Sequence, residues 1–430
     1  MIRRRKPTTS PLHTVNWFDT ARLGLFVHWG VSSVHGWELS WPLVGGNPAL
    51  PACQSVSIDA YYAAVDRFTP RVGAAAEWAR LARDAGAQYA VLTAKHHDGF
   101  ALFDTHLSDF SAPRAACGRD LVREFVDAFR AEGLRVGLYV SLSDWHHPDY
   151  PAFTEAHKPY DFAALPQPSP AQWERYLSLL FGQVRELLTE YGSIDLLWFD
   201  GHWERMPMDR WRPHDLRTMI RQLQPAILLN DRLPGAGDFE TPEQFVPPQP
   251  PAQRWETCLT LNESWAYNPT DTGYKSPRQI VHTLCEVAGK GGNLLLNVGP
   301  MADGSLPAPQ RERIEALAGW MHRHSEAIVG TTPGLEPWQF YGPTTRRGER
   351  IYLHLVARPY ETVTVRGMPV RRIDAVRHVA TGTPLPYETR CAILDGLFNP
   401  DPSGELTIAV PESLLDPLAT VVAVDLKSRG

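Results

Sequence analysis

The chain has 430 residues, of which 43% are hydrophobic and 21% charged; 42 basic residues against 48 acidic ones leave a net charge of −6, which invites neither nucleic acid nor an anionic membrane. No apolar stretch approaches the ~20 residues of a membrane span, and Gly 32 with Pro 38 signals many turns rather than low-complexity disorder. Five scattered cysteines (Cys53, Cys117, Cys258, Cys285 and Cys391) form no C-x-x-C, which argues against a disulfide framework or zinc site and for a reducing, cytoplasmic setting.

The start, MIRRRKPTTSPLHTVNWFD, is basic with no apolar run behind it, so Sec export is not expected. From about residue 17 to 330, short apolar runs alternate with helical stretches. LGLFVHWG (23–30) is followed by a long insertion at 40–72 containing SWPLVGGNPALPACQ. A helix then carries Trp78, Leu81, Ala82 and Ala85 on one face, ends at Gly86 and leads to YAVLTAKHHDG (89–99). A second helix, with Leu121, Phe125 and Phe129, precedes RVGLYVSLSDW (135–145). Beyond a Pro-rich loop at 146–170, Trp173, Leu177, Leu180, Val184, Leu187 and Tyr191 mark the longest helix, closed by Gly192. IDLLWFDG (194–201), AILLNDR (226–232), RWETCLTL (254–261) and NLLLNVGP (293–300) complete the runs, with 233–253 read as another loop over the opening.

Runs apolar on both faces are buried parallel strands, and their alternation with helices means an α/β fold. Nearly every run ends in a polar or aromatic cluster: His28-Trp29, Lys95-His96-His97-Asp98, Ser143-Asp144-Trp145, Asp200, Asn230-Asp231-Arg232 and Glu256. In an open sheet function gathers at one switch point, whereas in a barrel every strand end faces a single mouth. No G-x-G-x-x-G follows the first strand, and no G-x-x-x-x-G-K-[ST] occurs. The expectation is an irregular TIM-like (β/α) barrel over residues 1–335. TTPGLEPW (331–338) forms a seam, after which short alternating strands predict a C-terminal antiparallel β-sandwich over 336–430.

Asp200 emerges directly from an apolar run, as a nucleophile on a rigid strand or as a turn residue before Gly201. Asp238, Glu240, Glu243, Glu256 and Glu263 are all available as a second carboxylate, and composition prefers none of them. Two carboxylates at one mouth are what glycoside hydrolysis needs, ~5–5.5 Å apart in retaining enzymes. His28, His96 and His97 could bind a metal, but the first strand has no H-x-H pair and no Lys closes a mid-barrel strand, so hydrogen bonding to sugar hydroxyls is preferred and no metal or cofactor is expected. Fourteen Trp residues include Trp29, Trp37, Trp41, Trp145, Trp198, Trp203 and Trp265 near strand ends, where aromatic planes suit the C–H faces of a pyranose.

Taken together, LGLFVHWG, TAKHHDGF, GLYVSLSDW, LLWFDG, NDR with TPEQF, WETCLTLNESWAYN and KGGNLLLNVGP, in that order over residues 17–305, resemble a glycoside hydrolase family 29 α-L-fucosidase. The resemblance implies a retaining double displacement on terminal fucose of an oligosaccharide or glycoside. Asp200 would be the nucleophile and Glu243 the acid/base, with Glu240 and Glu256 as rivals. Sugar-binding roles carry over to His28, His96, His97, Tyr139, Arg232 and Trp265, and to Trp37 and Glu38 in HGWELSW, where Trp precedes Glu against the family order. Partial burial or the charge of Asp200 would keep Glu243 protonated on arrival. The competing readings are a metal-dependent hydrolase on the same barrel and a non-catalytic fucose-binding protein.

Overall fold

The computed structural model describes residues 16–47, 55–150, 154–159, 167–204 and 208–428. Seven parallel strands form the first sheet: β1 (Leu23–Val27), β2 (Tyr89–Lys95), β3 (Arg135–Ser141), β4 (Leu196–Asp200), β5 (Leu228–Leu229), β6 (Glu256–Thr260) and β7 (Asn293–Val298). Their order, β5-β4-β3-β2-β1-β7-β6, curls into a barrel wall. Between its two ends runs the segment 238–244, which the sequence led us to read as loop. Asn230 bridges Phe239, Glu240 bridges Trp255 and Glu243 bridges Cys258, all parallel. On one side Asp238 N donates to Leu229 O (2.7 Å), and on the other Gln244 N donates to Cys258 O (3.0 Å). This irregular eighth stave has no period-2 signature, because Pro242 lacks an N–H and Gln244 takes a φ of 61°.

Helix α1 (Phe18–Ala21) precedes β1, and α2 (Ile58–Ala63), α3 (Ala74–Asp84), α4 (Leu121–Ala131), α5 (Pro170–Glu190), α6 (Pro213–Leu223), α7 (Pro277–Gly289) and α8 (Ala308–His324) fall among the strands and after the last. Their starts follow local chemistry. Asp120 caps α4 by accepting from Arg123 N (2.8 Å), and Ser169 and Ser276 form capping boxes with Gln172 and Gln279 ahead of a first-turn proline. The expected apolar faces are buried: Trp78 and Ala82 on α3, Phe125 and Phe129 on α4, Leu177, Leu180 and Val184 on α5.

Alternation along each strand decides what faces the barrel axis. In LLWFD, Trp198 and Asp200 share the inner face, while Leu197 and Phe199 take the outer one. At the floor, Glu256 at the start of β6 accepts from Tyr89 OH and from Trp198 Nε1 (3.1 Å). The Tyr89 ring lies where a side chain at Gly24 would have to go, 2.4 Å from that residue's would-be Cβ, so β1 needs glycine there. At the mouth, Gly201 (φ 79°) turns the chain sharply away after Asp200.

The remaining strands are antiparallel. One sheet has the order β12-β15-β10-β9-β8, from β8 (Thr332–Pro333), β9 (Thr344–Arg347), β10 (Arg350–Leu355), β12 (Ile373–His378) and β15 (Thr420–Leu426). The other has the order β11-β14-β13, from β11 (Thr362–Pro369), β13 (Tyr387–Cys391) and β14 (Ser403–Ala409), with α9 (Ile393–Phe398) ahead of β14. Ile351, Leu353, Val422 and Val424 share an apolar core with Val363, Val365, Leu406 and Ile408 of the smaller sheet. Tyr352, Val421 and Ala423, on the opposite face, join the barrel's own core. The five-stranded sheet is therefore covered on both faces, and its edge strand β8 lies within the seam expected at 331–338.

Arg22, immediately before β1, ties the barrel floor to the run-in of β8. Its Nη1 donates to Gly292 O (3.0 Å), its Nη2 to Thr331 O (2.6 Å) and its main-chain N to Asn293 Oδ1 (2.7 Å). Arg22→Met is expected to leave buried carbonyls unpaired and to cost about 3 kcal/mol or more, lowering the calorimetric unfolding midpoint while sparing turnover at low temperature.

Candidate active site

A cavity of about 480 Å³ opens at the carboxyl ends of the strands. That suits one sugar ring with part of its neighbour. Asp200 lies in its wall at the end of β4. Its Oδ1 accepts from Arg232 Nη1 (2.9 Å) and its Oδ2 from Tyr139 OH (3.0 Å), with His97 Nε2 4.0 Å from Oδ2. Burial alone would raise the pKa of this carboxyl, but the Arg232 charge, His97 and the two hydrogen bonds outweigh it and hold Asp200 below the ordinary carboxylate range.

Arg232 follows β5 and is nearly enclosed. Its guanidinium packs 4.6 Å from the Trp198 ring, and its Nη2 donates to Glu243 Oε2. One planar cation thus holds both carboxylates, one on each terminal nitrogen. Glu243 stands on the eighth stave at the cavity rim with its side chain 38% exposed. Of the two settings expected for it, partial burial or the nearby charge of Asp200, the structure shows a side chain more than a third exposed with the Arg232 guanidinium as its neighbour.

The three histidines meet at this cavity and are neutral by design of their surroundings. His28 Nδ1 bonds Asn297 Oδ1 (2.6 Å), while Asn297 Nδ2 donates to Trp265 O (2.7 Å). That orients the amide, so His28 donates from Nδ1 and keeps Nε2 as an acceptor. Burial lowers its pKa to about 4. His97 is fixed likewise: Ser141 Oγ gives its proton to Ser143 O (2.7 Å) and so accepts from His97 Nδ1 (2.6 Å). His96 Nδ1 bonds Ser40 Oγ (2.6 Å), and its ring stacks on Tyr139 at 5.5 Å. Burial lowers the pKa of both. Among the described residues, no three His, Cys, Asp or Glu side chains converge so as to hold a metal.

Trp265 forms an apolar wall with Phe26 and Trp198. Trp37 and Glu38 are placed elsewhere. Trp37 stacks between His35 (4.4 Å) and Tyr61 (5.2 Å), away from the cavity lining. Glu38 is buried behind the wall, where it accepts from the main-chain N of Trp265 (2.7 Å) and Ala266 (3.4 Å). Burial pushes its pKa up to about 8, against the pull of those two bonds. Glu38 therefore supports Trp265 instead of meeting the sugar, and Trp41 from the same HGWELSW string takes the place on the wall.

Two rivals for the acid/base role lie off the cavity. Glu240 pairs through its backbone with residues 254 and 256, and Glu256 is sealed at the barrel floor beneath Trp198. Trp41, Trp198 and Trp203, which the sequence marks as aromatics near strand ends, lie on the wall, and so do Asn47 and Gln244, which it did not single out. Trp198 alternates with Asp200 and must share its face. Gln244 carried no signal, because its positive φ breaks the alternation.

Two carboxylates in one aromatic-walled cavity at the mouth of a barrel are the chemistry of glycoside hydrolases. Similarity to known proteins agrees. The alpha-L-fucosidase family model matches residues 3–326. The tissue alpha-L-fucosidase of Homo sapiens is 31% identical over 347 residues, covering 75% of this chain and 71% of the human one. Alpha-L-fucosidase isoenzyme 1 from Paenibacillus thiaminolyticus superposes with a TM-score of 0.83 at 36% identity, over 96% of this chain and 98% of that one. A Thermotoga maritima alpha-fucosidase, solved in complex with a mechanism based inhibitor, gives 0.75 at 29% identity, over 95% and 96% of the two chains. This chain is a glycoside hydrolase. It belongs to the alpha-L-fucosidase family, glycoside hydrolase family 29.

Burial raises the pKa of Glu256 to about 7, partly offset by its bonds from Tyr89 and Trp198. A raised folded pKa stabilises below the unfolded value of ~4.3 and loses that contribution as pH climbs towards 7. Glu256→Gln can still accept from Trp198 and can donate to Tyr89. It is expected to retain turnover and to gain stability relative to the parent between pH 5 and 8, read from paired melting curves; abolished turnover would return Glu256 to the catalytic candidates.

Proposed function

We propose that the protein is a retaining exo-α-L-fucosidase acting on terminal α-L-fucosyl groups of oligosaccharides or glycosides. The observation that carries this reading is the single guanidinium of Arg232 bound to both Asp200 and Glu243 at one sugar-sized opening. The ring sits against Trp265 and Phe26, whose apolar faces suit the methyl group of a 6-deoxy sugar. The acceptor nitrogens of His28 and His97 accept hydrogen bonds from ring hydroxyls.

In the first step an Asp200 oxygen attacks the anomeric carbon while Glu243 gives its proton to the departing glycosidic oxygen. Charge flows from the carboxylate into the new ester bond, and the C–O bond to the aglycone breaks with its electron pair. Arg232 favours ionised Asp200 before attack. A protonated Glu243 no longer pairs as a carboxylate with that cation, so its contact loosens as the substrate arrives. In the second step Glu243 takes a proton from water, the hydroxide attacks the same carbon and Asp200 leaves, restoring the starting configuration.

The metal-dependent alternative meets an arginine, not a ligand set, facing Asp200. EDTA is therefore expected to leave the rate unchanged. We propose a cytoplasmic setting, which the dispersed cysteines support and fractionation of the native host tests.

Asp200→Gly is expected to lower kcat on an aryl α-L-fucoside by about three orders of magnitude or more, with partial recovery in azide. NMR of the first product formed by the parent should show the α-anomer. Near-parental turnover in the variant, or an inverted first product, would refute the assignment.

A further inference from the structure

Gln244 is one of five non-glycine residues with positive φ among the described residues, at 61°. A side-chain-bearing residue holds that conformation only where its surroundings impose it, and such positions gather at functional sites. Here the surroundings are explicit. Gln244 N donates to Cys258 O (3.0 Å). Its carboxamide is clasped by Thr260: Nε2 donates to Thr260 Oγ1 (3.1 Å), and Oε1 accepts from Thr260 N (3.4 Å). Thr260 Oγ1 commits its own proton to Asn262 O (2.5 Å), which leaves it an acceptor and orients the amide. The side chain nevertheless lies in the cavity wall beside Glu243.

Glu243 needs such an anchor. Among the described residues Arg232 is its side-chain partner, and the carboxyl is more than a third exposed. The contact with Arg232 suits the carboxylate and is given up when Glu243 carries the proton bound for the leaving oxygen. At that moment only the backbone of the stave fixes the direction of the side chain.

We propose that Gln244 is a positioning residue, whose clamped left-handed backbone aims Glu243 at the glycosidic oxygen once Arg232 has let go. The inference rests on the reading of Glu243 as acid/base. A misaimed acid slows departure of poor leaving groups, which need the proton, far more than activated ones, which do not.

The experiment measures kcat/KM, which reports the first step alone, for parent, Gln244→Ala, Thr260→Val and Glu243→Ala on aryl α-L-fucosides of graded phenol acidity. Glu243→Ala should lose about 100-fold or more on the poorest leaving group and little on dinitrophenol. Gln244→Ala should lose about 10-fold on the former and under about 3-fold on the latter, with Thr260→Val following in the same sense. If Glu243→Ala shows the dependence but Gln244→Ala and Thr260→Val fall evenly across the series, or not at all, the positioning role is overturned and the acid/base reading stands. If Glu243→Ala itself shows no dependence, both fall. Should Gln244→Ala not fold, the slope for Thr260→Val decides alone.

Discussion

Burying a carboxylate at the end of an apolar strand is costly unless a cation comes with it, and here that cation is Arg232. It arrives from the end of the neighbouring strand, packs on the ring of Trp198 and binds Asp200 with one nitrogen. The same plane of atoms reaches Glu243 with the other. A compact ammonium could neutralise one charge; only a planar fork can hold two acids in a fixed relation and stack on an indole at once. The chemistry at the cavity follows from that placement. Asp200 is held ionised despite burial, and Glu243 is held nearby yet open to solvent.

Around this pair the barrel imposes a simple geometry. Inner-face residues two apart stack in layers, so Glu256 and Tyr89 occupy the floor, Phe26, Trp198 and its register partner Tyr139 the middle, and Asp200 and His28 the mouth. The layers separate the uses of acidity. A carboxyl sealed at the floor serves packing with Tyr89 and Trp198, while one at the mouth faces the cavity. The histidines obey the same logic from outside the ring: Asn297 and Ser141 each fix an Nδ1 proton, and burial keeps the rings neutral. The mouth therefore presents acceptors for hydroxyl protons without adding positive charge that would compete with Arg232.

The barrel closes through an irregular stave rather than a full strand, and that irregularity is where Glu243 sits. A regular eighth strand would alternate its side chains between axis and helices. Single bridges to β5 and β6, a proline and a left-handed glutamine let the chain place Glu243 at the rim instead. Among the described residues, the C-terminal sheets add none to the cavity wall. Their contribution is to cover the outside of the barrel through Tyr352, Val421 and Ala423.

Much of this was legible from residue order. Apolar runs ending in polar clusters announce parallel strands around one mouth, because a buried strand must be apolar throughout and can turn polar only where it emerges. Asp200, Tyr139 and the histidines sit on or directly after such runs, so their position follows from local pattern. Chain order also carries the family likeness that singles out Glu243. Order alone could not say that residues 238–244 complete the wall, that Glu38 turns away beneath Trp265 while Trp41 faces inward, or that Arg232 clasps two acids. Those outcomes depend on contacts between segments far apart in the chain and on backbone angles that break periodicity. Local sequence therefore determined the strands and their polar ends, and tertiary packing decided which of the loop residues between them line the cavity.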